Sequence, residues 1–124
     1  MPAPIIVVHD ENDVRQAAVD ALRAAGHECV GFADPMTALD AIEDNTRVRV
    51  LVTRMDFGEG KLSGLALSRM LLVKQAGITT IFIARPEYER LAEGVGVFLP
   101  ILRFDPRSLV EMVEVVERLL AKQD

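Results

Sequence analysis

Short apolar runs that alternate with amphipathic segments constrain this chain more than any other feature of its sequence. The run IIVV at 5–8 consists of β-branched residues only, which is typical of a strand covered on both faces in a parallel sheet. A polar stretch follows it, and apolar residues then recur at helical spacing from Val14 to Ala25 before Gly26 ends the segment. The chain therefore begins with a predicted strand and helix.

The same pattern repeats along the rest of the chain. In the helix predicted at 63–75, Leu67, Met70, Leu71 and Lys74 are expected to share one face. The helix predicted at 86–93 is the fourth and is short, with room for two turns. The remaining predicted strands lie at 28–32, 48–53, 79–84 and 95–100, and the remaining predicted helices at 35–44 and 106–121.

Five strands alternating with five helices predict an α/β fold, because each pair of parallel strands needs a crossover connection. A length of 124 residues fits a single domain, 1–124. In open parallel sheets, functional residues collect at the carboxyl ends of the strands. Those ends are the places where a site is expected.

Charge and cysteine content exclude several classes of function. The formal net charge of −5 argues against a nucleic-acid partner, which would need clustered Lys and Arg. The apolar runs are far shorter than the ~20 residues that span a bilayer, and the N-terminal residues do not resemble a signal peptide. Cys29 is the single cysteine, which agrees with a reducing compartment and a role as a core residue. We expect a cytoplasmic protein without membrane contact.

Several segments carry a resemblance to a known family. These are HDE at 9–11 after the first strand, SGLAL at 63–67, FLP at 98–100 and FDP at 104–106. In this order and spacing, the chain resembles a bacterial response-regulator receiver domain. The resemblance implies a flavodoxin-like sheet of order 2-1-3-4-5. It also implies a pocket in which an Asp after the third strand is phosphorylated, with Mg²⁺ held by that Asp and an acidic pair.

The positions of that pocket hold residues that lack the family's chemistry. Asp10 keeps the second place of the acidic pair, and the first is His9. Continuous strand register puts Arg54 at the phosphoacceptor position, and a guanidinium cannot accept a phosphoryl group or bind Mg²⁺. The hydroxyl and lysine positions fall on Ile83 or Ala84 and on Leu102.

A second alignment places the phosphoacceptor elsewhere. Counting back from Gly64 by the family's interval of roughly eight residues leads to Asp56. In this alternative the chain is a working receiver that is phosphorylated on Asp56, with Mg²⁺ held by Asp10 and Asp56. We favour the first alignment, because the segment 56–61 resembles a loop with a two-residue insertion and the second would require an outward-facing place for Arg54 inside the strand.

Neighbouring strands in the implied order bring Asp10 and Arg54 together. We predict an internal ion pair in which the arginine replaces the metal charge. His9 is expected to be exposed to solvent at the end of the strand, without a role in chemistry. The expected site is therefore neither catalytic nor metal-binding.

An apolar surface is expected near the end of the chain. The last helix carries a core stripe through Met112 and Val116, and Val110 and Val115 are predicted to lie off that stripe. Together with Phe98, Ile101 and Leu102 they form a predicted interaction surface. We expect a pseudo-receiver without enzyme activity or cofactor that binds a histidine kinase, an output domain or its own copy as a homodimer.

Overall fold

The structure is a computed structural model. It describes residues 4–43, 47–55, 57, 62–74, 77–84, 90, 96–100 and 106–122, and at 74, 84, 98–100, 106, 107 and 122 the description is of the backbone. Its strands are β1 (Ile5–Val8), β2 (Cys29–Phe32), β3 (Val50–Arg54), β4 (Thr79–Ala84) and β5 (Gly96–Pro100). They pair in parallel in the order β2-β1-β3-β4-β5. The predicted flavodoxin-like sheet is confirmed.

Four helices accompany the sheet in the described part of the chain: α1 (Asn12–Ala24), α2 (Pro35–Glu43), α3 (Gly64–Lys74) and α4 (Pro106–Lys122). Each begins and ends within one residue of its prediction, apart from the start of α1, which is Asn12 rather than Val14. Gly26, beyond the end of α1, has the positive φ of 93° that favours glycine. The short helix predicted at 86–93 lies outside the described residues, except for Arg90. No helix among those described is long and apolar enough to cross a bilayer.

Side chains of the strands alternate between two apolar layers. Ile5, Val7 and Val52 point into a layer shared with α1 and α4, whereas Ile6 and Leu51 point into a layer shared with α2 and α3. The sheet is therefore covered on both faces, as the all-apolar strand sequences predicted. The carboxyl ends of the parallel strands lie together at one edge of the sheet, and the candidate site is located there.

Cys29 is a core residue of β2, as predicted. It is buried in the layer beneath α1 and α4. Burial raises the pKa of its thiol to about 11, although the nearby Arg23 acts in the opposite direction. Because the thiolate is the reactive form of cysteine, this side chain has a structural role.

The burial of Val115 differs from the prediction for the last helix, which placed this residue off the core stripe. Val110 is 58% exposed, but Val115 is 7% exposed and packs in the core with Met112 and Val116. Residues five apart lie about 140° from each other around an α-helix, so Val110 and Val115 cannot share one face. Val115 therefore does not belong to the predicted interaction surface.

Met70 corrects the prediction for α3. Leu67 and Leu71 are fully buried, but Met70 is 38% exposed. The buried face of α3 turns the other way, toward Gly64 and Ser68, which are both buried. The helical spacing was right, but it did not specify which side of the apolar stripe meets the sheet.

Candidate functional site

Two neighbouring strands bring the central residues of the site together. Val8 pairs with Thr53, so His9 and Arg54 follow at the same level of the sheet, and Arg54 in turn pairs with Ile83 of β4. Arg54 is the last residue of β3. The candidate site therefore forms where β1 and β3 end side by side.

Arg54 and Asp10 form the predicted ion pair. Arg54 Nη1 donates a hydrogen bond of 2.8 Å to Asp10 Oδ1. The two side chains are 37% and 36% exposed, so the pair is only partly shielded from water. Burial opposes ionisation of Asp10, but the hydrogen bond and charge of Arg54 outweigh it and hold the pKa of the carboxyl below its ordinary value. The prediction of this pair is confirmed.

A second carboxylate lies near the same guanidinium. Glu11 Oε1 is 4.0 Å from Arg54 Nη1, and the Glu11 side chain is 40% exposed. Asp10 and Glu11 follow β1 directly, so a single turn of chain supplies both negative charges. The arginine thus occupies the position of a cation between neighbouring acidic side chains.

His9 is buried, which corrects its predicted exposure to solvent. Its side chain is 6% exposed. The His9 amide donates to the Phe32 carbonyl at 3.0 Å, extending the contact between β1 and β2 beyond the last strand residue. This backbone hydrogen bond keeps His9 next to β2. A residue just beyond the end of a strand would otherwise be exposed to solvent.

The His9 ring supports the start of α1. Its Nδ1 accepts a hydrogen bond of 3.1 Å from the amide of Glu11, the N-cap residue of α1. An accepting Nδ1 requires the neutral ring with its proton on Nε2. Burial lowers the pKa of His9; Asp10 and Glu11 raise it, Arg54 and Arg15 lower it, and the net shift is downward.

Arg15 is a further contributor that the sequence prediction missed. Its Nη1 donates a hydrogen bond of 2.8 Å to the His9 carbonyl, and its Nη2 bonds to the Asn12 side chain. Arg15 lies one helical turn into α1, on the side that faces the β1 end. It therefore fixes the turn between β1 and α1 from the helix side.

The backbone after Arg54 is held against the start of α3. The Gly64 amide donates to the Met55 carbonyl at 2.9 Å, and the Met55 amide donates to the Ile83 carbonyl at 3.2 Å. The Thr53 hydroxyl donates to the Arg54 carbonyl at 2.9 Å. These contacts define the chain on both sides of Asp56, which itself lies outside the described residues.

The other predicted site residues are only partly described. Ile83 is 2% exposed and belongs to the core, so it presents no polar group to the site. Ala84 ends β4, and Phe98 lies in β5 opposite Phe82. Ile101 and Leu102 lie outside the described residues.

The described donor set does not fit Mg²⁺. Magnesium is usually held by one or two carboxylates together with water, and a cation bound to such a carboxylate opposes its approach. Asp10 instead offers its Oδ1 to Arg54, whose positive charge lies where a metal would need to approach. Within the described ranges, no group of three or more His, Cys, Asp or Glu could hold a metal ion.

Comparison with known proteins supports the fold rather than a particular function. No protein-family model and no curated protein matches the chain. The chain is 26% identical to NtrX from Brucella abortus in complex with ADP, with a TM-score of 0.81. The similarity covers 99% of the present chain and 28% of the NtrX chain. The isolated receiver domain of the same protein gives 26% identity and a TM-score of 0.80, with 94% and 98% covered.

A third solved structure has the same fold at lower identity. The response regulator TrrA from Thermotoga maritima, in complex with Mg²⁺ and BeF, is 20% identical with a TM-score of 0.79, covering 93% of this chain and 96% of that one. The structural neighbours are thus receiver domains of two-component response regulators. The present chain has their CheY-like, flavodoxin-like fold and spans about 28% of the NtrX chain in complex with ADP.

Proposed function

We propose that the chain is a pseudo-receiver of a two-component phosphorelay, which acts by protein–protein contact and without phosphorylation. The observation that carries this proposal is the Arg54–Asp10 ion pair at the joined ends of β3 and β1. The fold and the NtrX receiver similarity support the signalling context, because receiver domains exchange signals with kinases and output domains.

The chemistry of Arg54 supports a phosphorylation-independent role. The phosphoacceptor of a receiver domain is an Asp carboxylate, which supplies a nucleophilic oxygen, whereas a guanidinium has only N–H donors and a fixed positive charge. Its charge also offsets Asp10, the residue that would otherwise contribute to a metal site. The proposal therefore includes no enzyme activity and no cofactor.

The proposed partner is a histidine kinase, an output domain or a second copy of the chain in a homodimer. Val110 of α4 is the described residue that supports the predicted dimer surface, because it is apolar and 58% exposed. Val115 no longer contributes, since it is buried. A two-fold axis near α4 would bring two copies of Val110 together.

The competing function is a working receiver phosphorylated on Asp56. What favours it is the interval between Asp56 and Gly64, which matches the family spacing without an insertion. In this arrangement Arg54 would sit two residues before the phosphoacceptor. The two functions differ in whether any carboxylate takes up a phosphoryl group.

Phosphoryl uptake separates the two functions. The protein would be incubated with Mg²⁺ and acetyl phosphate, and its intact mass compared with that of Asp56→Asn and of a known receiver treated in parallel. We expect no gain of a phosphoryl group under conditions that label the known receiver. A gain that disappears in Asp56→Asn would establish the working receiver and overturn the pseudo-receiver.

A further inference from the structure

The outer face of α3 is apolar. Val73 is 89% exposed, and Met70 and Leu72 are each 38% exposed. Leu65 and Ala66, one turn or more earlier, are partly exposed. A surface helix of a soluble protein normally has a polar outer face, because only its inner stripe needs to meet the core. In the described part of α3, the exposed side is instead largely apolar.

The other long helices of the chain show the usual pattern. The exposed side of α1 includes Asp13, Gln16 and Asp20, and that of α4 includes Glu111 and Glu114. In the described part of the chain, α2 and α4 each expose a single large apolar side chain, Met36 and Val110, whereas α3 exposes three that are close together. Contiguous exposed apolar side chains of this kind mark interaction sites.

Charge distinguishes α3 further. Its sequence, GLALSRMLLVK, contains two basic residues and no acidic one, although the chain carries a net charge of −5. Arg69 is exposed and lies one turn before Val73, so the two side chains are neighbours on the outer face. A complementary surface would combine apolar side chains with carboxylates.

We propose that the outer face of α3, formed by Arg69, Met70, Leu72 and Val73, binds an acidic amphipathic helix of a partner protein. The apolar side of that helix would cover Met70 and Val73, and a carboxylate at its border would pair with Arg69. With 11 residues, α3 is about 16 Å long and matches three turns of a partner helix. This inference rests on the proposed role of the chain as an interaction module.

A second copy of the chain fits this face less well. A closed dimer through α3 would place the two outer faces against each other around a two-fold axis. Arg69 lies at the middle of α3, so the axis would bring Arg69 toward its own copy and place like charges together. Contact between α3 of one copy and the acidic side of α4 of another would join two different surfaces, so the assembly would not close into a two-fold dimer.

Two peptides of three helical turns would test the proposal. Both are fluorescein-labelled and helix-stabilised and have the same leucine stripe; one carries Glu and the other Lys beside the stripe. By fluorescence anisotropy, we expect the Glu peptide to bind at least about tenfold more tightly than the Lys peptide. Val73→Glu should weaken its binding about tenfold or more, and Arg69→Glu should reverse the preference.

Met36→Glu is the matched control, because it places the same charge at an exposed apolar residue of another helix, α2. It should leave peptide binding unchanged, and circular dichroism should show all three variants folded. Equal binding of both peptides, or no binding of either, would overturn the proposal. So would a self-association of the unmodified protein that Val73→Glu abolishes. Phosphoryl uptake is measured separately, so failure of either proposal is recognised independently.

Discussion

A methyl group at Gly64 would come within 1.9 Å of the Arg54 carbonyl oxygen. No side chain can occupy that space, because the atom in the way is main-chain oxygen at the end of β3 rather than a flexible side chain. The Gly64 amide at the same time bonds to the Met55 carbonyl. The start of α3 is thus in direct contact with the backbone that carries the ion-paired arginine.

Gly64→Ala is expected to push α3 away from β3 and to destabilise the fold by about 1–3 kcal/mol, the usual cost of overpacking. Chemical denaturation would measure this loss in free energy of unfolding. Gly77→Ala is the matched control, since nothing lies within 4 Å of a methyl group there. Equal stabilities of the two variants would contradict the close contact.

The Arg54–Asp10 pair should contribute modestly to stability, because more than a third of each side chain is exposed. A double-mutant cycle of Asp10→Ala and Arg54→Ala is expected to give a coupling free energy of about 0.5–1 kcal/mol. The coupling should decrease at high salt. Strict additivity of the two substitutions would show that the residues do not interact in solution.

Millimolar Mg²⁺ is expected to leave the melting temperature unchanged. A ligand stabilises a protein only if it binds the native state, and Arg54 opposes a divalent cation beside Asp10. Arg54→Asp reverses the charge of the side chain beside Asp10, so the melting temperature of this variant should rise saturably with Mg²⁺. A saturable increase in the unmodified protein would contradict the substitution of metal by arginine.

Periodicity made the strands and helices predictable, and the strand order implied by the receiver resemblance explains why the ion pair could be foreseen. The all-apolar strands specify a sheet covered on both faces, and the strand order makes Asp10 and Arg54 neighbours. Asp10 lies two residues after the end of β1, and Arg54 is the last residue of β3. The strand order came from the resemblance to receiver domains, and with strand register it was enough to place them in contact.

Burial of His9 and Val115 was beyond the reach of the sequence pattern. His9 is buried because its amide bonds to Phe32, a contact between segments 23 residues apart in the chain. Val115 is buried because α4 packs against both the sheet and α1, which widens its buried face. The choice between Arg54 and Asp56 depends on an insertion, and composition and periodicity carry no information about it.

Stability should fall as the pH decreases below about 6.5, the ordinary pKa of histidine. The pKa of buried His9 is lowered, so in the window just below 6.5 the unfolded chain binds more protons than the folded one. Lowering the pH through this window therefore favours unfolding. Chemical denaturation at several pH values would be carried out in a His27→Gln background, where His9 is the remaining histidine of the two.

His9→Asn is the informative variant for this pH dependence. Its Oδ1 can accept the Glu11 amide in place of the ring Nδ1, while the titrating group is removed. We expect the loss of stability between pH 7 and about 5.5 to become smaller than with His9 present. An unchanged slope would assign the pH dependence to other groups.

Val110 and Val115 should respond oppositely to the same substitution. Val110→Glu places a charge at a 58% exposed position and should leave the monomer folded, with a change in stability within about 0.5 kcal/mol. Val115→Glu would bury a carboxylate beside Met112 and Val116, and it should unfold the chain or cost well over about 3 kcal/mol.

If the proposed homodimer forms through α4, sedimentation equilibrium should show concentration-dependent association that Val110→Glu abolishes. A monomer at high micromolar concentration in the unmodified protein would remove the α4 dimer and leave the buried position of Val115 unaffected.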